Sequence, residues 1–154
     1  MSVQYPQLTD AQIMSRDHER LPNLDKFGTL LKNMPHEIVS SVITAGASGV
    51  TVNDFIFVLP VKAEILKAEF IMTTVQTGTG NTPTVRLVEG SNVIGETDAI
   101  ALSGAIGDVK ALTLDAMKVV LAAGTKLIHR VVNPAGTITV AIQGKLQVIW
   151  KPVA

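Results

Sequence analysis

The chain has 154 residues, 13 basic and 13 acidic side chains, no cysteine, four Phe, one Trp and one Tyr. The missing cysteines exclude disulfides, Cys-ligated zinc and thiol chemistry. Zero net charge lacks the basic excess of a phosphate-neutralising surface, so nucleic acid is not an expected partner.

The length fits one domain, large enough to bury roughly 70% of its unfolded surface without staples. Charged residues are 17% of the chain and apolar residues 47%, against a usual charged quarter. Two readings follow: a surface partly hidden in an assembly, or a well-filled β-sandwich with a Thr/Ser/Asn exterior. No run of about 18 apolar residues is present, so no membrane span is expected. The opening MSVQYPQLTD has neither a basic n-region nor an apolar h-region, so no signal peptide is expected.

Residues 1–37 read as a polar arm punctuated by Pro6, Pro22 and Pro35. The spacing predicts two short helices in it. Thr9 caps the first, with Gln12 in capping-box position, and it runs over Asp10–Arg20. Asp25 caps the second, where Phe27, Leu30, Leu31 and Met34 form one helical stripe. Gly28 costs that helix about 1 kcal/mol, and Pro35 ends it. The arm also carries Val3, Tyr5, Leu8, Ile13, Met14, Leu21 and Leu24, more apolar residues than a disordered linker holds. Each returns about 1.5–3 kcal/mol when buried, whereas ordering the backbone costs about 1–2 kcal/mol for every residue fixed. Side-chain burial alone does not order the arm. It needs backbone hydrogen bonds as well, through strand addition to a neighbour's sheet edge or short helices in grooves. The partner-binding candidates are therefore Tyr5, Leu8, Ile13, Met14, Leu21, Leu24, Phe27, Leu30, Leu31 and Met34. The competing reading packs the arm on its own domain.

From Glu37 the period changes to that of strands. Ile38–Ala45 is predicted as a strand, and Gly46-Ala47-Ser48-Gly49 as a turn. Val50–Val52 forms a short strand, Asn53-Asp54 a turn, and Phe55–Leu59 a strand ended by Pro60. Ala63–Thr74 alternates, with Leu66, Ala68, Phe70, Met72 and Thr74 as the expected core face. Gly78-Thr79-Gly80-Asn81 is a hairpin tip. Thr84–Glu89 follows, with Val85, Leu87 and Glu89 opposite Arg86 and Val88. After the Gly90-Ser91-Asn92 turn comes Val93–Thr97, with Gly95 as a bulge. Ala99–Gly107 is a loop crossing between sheets. Asp108–Leu114 and Met117–Ala122 flank an Asp115-Ala116 turn. Thr125–Val132, the Asn133-Pro134-Ala135-Gly136 turn and Thr137–Lys151, broken at Gly144, complete the chain.

About eight or nine short strands at roughly 10–14-residue spacing indicate an antiparallel sandwich or barrel. No helix of ten or more residues separates them, which argues against a parallel α/β sheet. The expected fold is an all-β, jelly-roll-like antiparallel β-sandwich over residues 38–154, behind an extended arm with short helical segments over residues 1–37. Eight strands in two sheets is the jelly-roll number. An immunoglobulin-type sandwich is the competing topology, although Trp150 sits at the far end of the chain rather than mid-domain.

Chemistry-bearing patterns are scarce. His18, His36 and His129 have no metal-ligand spacing, and His129 reads as a satisfied strand histidine. The carboxylates Glu64, Glu69, Glu89, Glu96, Asp98, Asp108 and Asp115 are spread singly. Glycosidases need a flanking pair, and Glu96 with Asp98 is at most half a calcium site without EF-hand spacing. Gly78-Thr79-Gly80 and Gly46-Ala47-Ser48-Gly49 lack the helix N-terminus that phosphate binding needs. No G-x-S-x-G elbow is present. No catalytic residue, metal site or cofactor is expected, and no small-molecule substrate.

A polar arm followed by a cysteine-free, aromatic-poor β domain resembles the decoration (cement) proteins of tailed-phage capsids. The resemblance lies in the arm up to His36, in VKAEILKAEFIMTT and in GTKLIHRVVNPAGTITVAIQGKLQVIWKPV. It implies a homotrimeric β-sandwich on the capsid exterior of the virion, made in the host cytoplasm. Its partners would be the major capsid protein and neighbouring copies of itself, with arms tying shell subunits together. Two other readings stay open. One is a different phage structural part, such as a head fibre base, tail component or receptor-binding module. The other is a carbohydrate-binding β-sandwich.

Overall fold

The computed structural model describes residues 34–47, 49–79, 82–102 and 104–153. Every regular element among them is a strand. The two predicted arm helices lie outside these residues, except for Met34. In chain order the strands are β1 (His36–Val39), β2 (Ile43–Thr44), β3 (Thr51–Val58), β4 (Ala63–Thr74), β5 (Thr77–Thr79), β6 (Thr84–Glu89) and β7 (Asn92–Glu96). They continue with β8 (Val109–Ala111), β9 (Thr113–Leu114), β10 (Val120–Leu121), β11 (Lys126–Val132), β12 (Thr137–Val140) and β13 (Gln143–Pro152).

The first sheet has the order β1-β13-β4-β10, with β2 also on β13 and β8 also on β4. The second has the order β3-β11-β6-β7-β9, and β5 and β12 form a separate two-stranded ribbon. The registered ladders are all antiparallel. Alternation explains the layering. In β11, Leu127, His129 and Val131 are buried while Arg130 and Val132 are partly exposed. In β6, Val85 and Leu87 enter the core and Arg86 faces outward. Phe70 and Met72 of β4, Leu146 and Val148 of β13, and Leu127 of β11 join them in one apolar cluster.

Five local expectations are corrected. The alternation of β4 changes phase near its start. Ile65 opposes Trp150 and Lys67 opposes Ile149, so Leu66 is the extra residue of a bulge. Ala63 and Ile65 therefore join Ala68, Phe70 and Met72 in the core, and Leu66, predicted as core, is exposed. Asn53 and Asp54 do not turn. They lie inside β3 opposite Arg130 and His129, and cross-strand partners replace the turn's own hydrogen bonds. Arg130 Nε donates to Asn53 Oδ1 at 2.6 Å, and Ser41 Oγ donates to Asp54 Oδ2 at 2.5 Å.

The predicted Ile38–Ala45 strand is two pieces, β1 and β2, and β1 starts earlier, at His36, stacked on Trp150. The predicted Asp108–Leu114 strand is interrupted at buried Leu112. There the chain leaves β4, where Leu112 N–H donates to the Ala68 carbonyl at 2.9 Å, and joins β7 through Thr113 and Leu114. One strand thus serves both sheets. Gly144 does not end β13 but marks a register shift in it. A Cβ at this position would run into the Phe70 ring and the Ile71 carbonyl, so only glycine admits this approach.

Candidate protein-binding surfaces

Among the described residues no group of three or more His, Asp or Glu is placed to hold a metal ion. Glu96 accepts from Arg86 Nε at 2.7 Å, which occupies one member of the half calcium site. His36 is exposed and lies flat on Trp150, with ring centroids 4.6 Å apart and planes inclined by 24°.

Among the described residues His129 is the one buried titratable group, and its environment determines its chemistry. Ser40 Oγ donates to the Ser41 carbonyl at 2.7 Å and accepts from Leu146 N–H at 2.9 Å. Its single proton is therefore committed, so the 3.2 Å contact with His129 Nδ1 is one in which Nδ1–H donates. Nε2 carries the lone pair, and among the described residues it has no partner. Burial pushes the His129 pKa down to about 4, against a smaller upward pull from the Asp54 carboxylate. The ring is neutral, half satisfied rather than fully satisfied as predicted, and edge-on to Phe70 at 5.6 Å. An activated serine needs its hydroxyl proton directed at the imidazole lone pair. Here the polarity is reversed, and the pair ties the residue after β1 to β11 and β13.

The remaining candidates are surfaces. Of the ten arm residues singled out from the sequence, Met34 is exposed. Tyr5, Leu8, Ile13, Met14, Leu21, Leu24, Phe27, Leu30 and Leu31 lie outside the described residues. Exposed apolar side chains are spread over the described residues, Phe55 of β3 among them, and one set lies along the interrupted strand and the turns beside it. Ile106 is 74% exposed, Val109 51%, Met117 92% and Val120 53%. The sequence signal for Ile106 is the small, apolar stretch Ala99–Gly107 that holds it, whereas the exposure of Val120 follows from the short pairing of β10, which covers only Val120 and Leu121. Beside β8 lies an open groove of about 450 Å³, with Thr97–Ala101 on one wall and Val109–Ala111 and Thr113 on the other.

No family model matches the chain, and no curated protein matches its sequence. Among solved structures, the fold is similar to a chain of the cyanophage Pam1 capsid asymmetric unit. That match has 10% identity and a TM-score of 0.54, and covers 99% of this chain and 94% of the other. The fold is also similar to the crystal structure of FLHE, at 14% identity and a TM-score of 0.51, covering 79% of this chain and 98% of the other. At these identities the likeness is one of fold, and it extends over most of each chain.

Proposed function

We propose that this chain is a non-enzymatic structural protein of a bacteriophage virion, a decoration (cement) protein that binds the capsid exterior and stabilises the shell. The observation that carries this reading is the end-to-end correspondence in fold with a chain of a phage capsid asymmetric unit. The proposal includes a jelly-roll topology, which the ladder order supports. In chain order the principal strands are β1, β3, β4, β6, β7, the interrupted β8–β10 segment, β11 and β13. The first of these pairs with the last, β3 with β11, β4 with the interrupted segment, and β6 with β7. That is one long hairpin. Wrapping it brings β13 beside β4 and β11 beside β6, as two interlocked Greek keys require.

In this reading the protein is a homotrimer made in the host cytoplasm. Its partners are the major capsid protein and neighbouring copies of itself, with no part for nucleic acid, membrane or small molecule. Residues from Tyr5 to Met34 reach neighbouring subunits as clamps. Three weak arms on one rigid body raise avidity by roughly 10²–10⁴ without a single strong contact.

Native mass spectrometry and capsid co-sedimentation test the proposal. The full chain is expected as a trimer that sediments with shells. A deletion of residues 2–33, which spares β1 and the His36–Trp150 stack, should stay folded and release the shell. A monomer that binds shells equally with and without those residues would overturn the clamp.

A further inference from the structure

Two consecutive serines, Ser40 and Ser41, join the two sheets. They lie between β1 and β2, which both pair with β13 of the first sheet. Ser40 N–H donates to the Leu146 carbonyl at 2.9 Å, and Leu146 N–H donates back to Ser40 Oγ at 2.9 Å. The same oxygen takes the Nδ1–H of His129, on β11 of the second sheet, at 3.2 Å. Ser41 Oγ donates to Asp54 Oδ2 on β3, also of the second sheet, at 2.5 Å. One dipeptide is thus bonded to β13, β11 and β3.

This joint suits a neutral ring and no other. A second proton on His129 goes to Nε2 and creates a buried cation whose new N–H meets no acceptor among the described residues, which costs far more than a bare lone pair. The elements packed on the ring offer no relief. β4 sets Phe70 against it, β6 places Leu87 opposite it, and β13 meets it through Ser40. Asp54, its register partner on β3, is the one charged group that acts on it among the described residues, and that carboxylate is held by Ser41. Whether the imidazolium turns to Asp54 or to water, the dipeptide that holds both groups must move. It is also the part held least. β4, β6 and β11 have neighbours on both sides, and β3 is registered to β11 along its length. β1 has four residues and β2 two, each paired with β13 alone, and Ser41 and Val42 between them are exposed. Short edge pieces open at lower free energy than internal strands.

We infer that Ser40 and His129 form an acid-released latch: protonation of the buried ring frees residues 36–44 from both sheets while the β4–β13 ladder stays closed. Burial lowers the His129 pKa to about 4, so the latch is shut at neutral pH. Opening exposes the ring, and it therefore becomes easier as pH falls from about 6.5 toward that value. The latch sits at the first strand, where residues 1–33 lead into the β domain.

Amide hydrogen exchange of the full-length protein, read by NMR from pH 7 to pH 5 and corrected for intrinsic rates, tests the latch. At pH 7 the Ser40 and Leu146 amides should be less protected than those of Glu69 and Gln147, which face each other in the β4–β13 ladder. By pH 5 the protection of Ser40 and Leu146 should fall by about tenfold or more. His129→Leu should abolish that fall. His36→Gln, which replaces the exposed histidine of β1, should leave it in place. Protection of Ser40 and Leu146 that stays flat across the interval would overturn the inference, because these amides would then open without uncovering the ring. Protection equal to that of Glu69 and Gln147 at every pH would overturn it too, since the segment would open only with the whole fold. So would a fall that His36→Gln removes. The parent profile decides the matter even if His129→Leu does not fold.

Discussion

The β4–β13 ladder and the stretch from Val109 to Leu121, which pairs with β4 at both of its ends, are built on opposite terms. The ladder registers Gln143–Pro152 against Ala63–Thr74. β13 is flanked by β1 as well as β4, and the inner face of the ladder carries Phe70, Leu146 and Val148 at 0% exposure. The marginal stretch is three strands of two or three residues that change sheet midway and leave Val109, Met117 and Val120 exposed. Apolar residues supply both regions. The difference is whether a second layer and a second neighbour cover them. Stability is therefore expected to concentrate in the ladder, and the capacity to accept a partner at the margin.

The largest break in that contrast comes from Phe70→Ala. Truncating a fully buried aromatic costs about 3–5 kcal/mol, and this ring also packs edge-on to His129 and closely over Gly144. Equilibrium denaturation should show that loss. A cost below about 1 kcal/mol would mean that the ladder is not the stable element.

The next effect is a pH slope originating beneath the same ladder. His129 is neutral in the fold, because burial lowers its pKa from the ordinary 6.5 to about 4. As pH falls, the unfolded chain takes up the proton first. Stability is at its full value above pH 6.5 and declines through the interval down to about 4, where the loss reaches on the order of 3 kcal/mol. Denaturation midpoints measured across that interval should fall for the parent and fall less for His129→Leu. Equal slopes for the two would show that the carboxylates alone set the acid response.

These residues also show what was legible in the sequence. Alternation makes β11 readable, and in β6 it holds through Leu87, whereas Val88, expected on the outer face with Arg86, is fully buried where the β6–β7 register shifts. The core face of β4 was misassigned near its start because the bulge at Leu66 is set by register with Trp150, more than eighty residues away. Asn53-Asp54 carried genuine turn chemistry that Arg130 and Ser41 outbid. The bare Nε2 of His129 was hidden for a similar reason, since Ser40 and Phe70 reach the ring from other strands. Ala99–Gly107 was correctly read as a loop, but its use as a groove wall depends on the sheet change at Leu112, which no local pattern announces. The arm candidates were named on apolar content, and of them only Met34 falls within the described residues.

The smallest effect tests the margin itself. Ile106 is as apolar as any core residue but remains 74% exposed, so folding of one copy removes little of its area from water. Ile106→Ser should change the stability of the dilute protein by no more than about 0.5 kcal/mol. A partner that covers the side chain would alter this in one specific way. Anything that binds only the folded state adds stability according to its concentration, so the cost of Ile106→Ser would grow as protein concentration rises. Denaturation at two concentrations a hundredfold apart separates the cases. A cost of 1 kcal/mol or more already present at high dilution would place Ile106 among the structural residues and remove it from the docking margin.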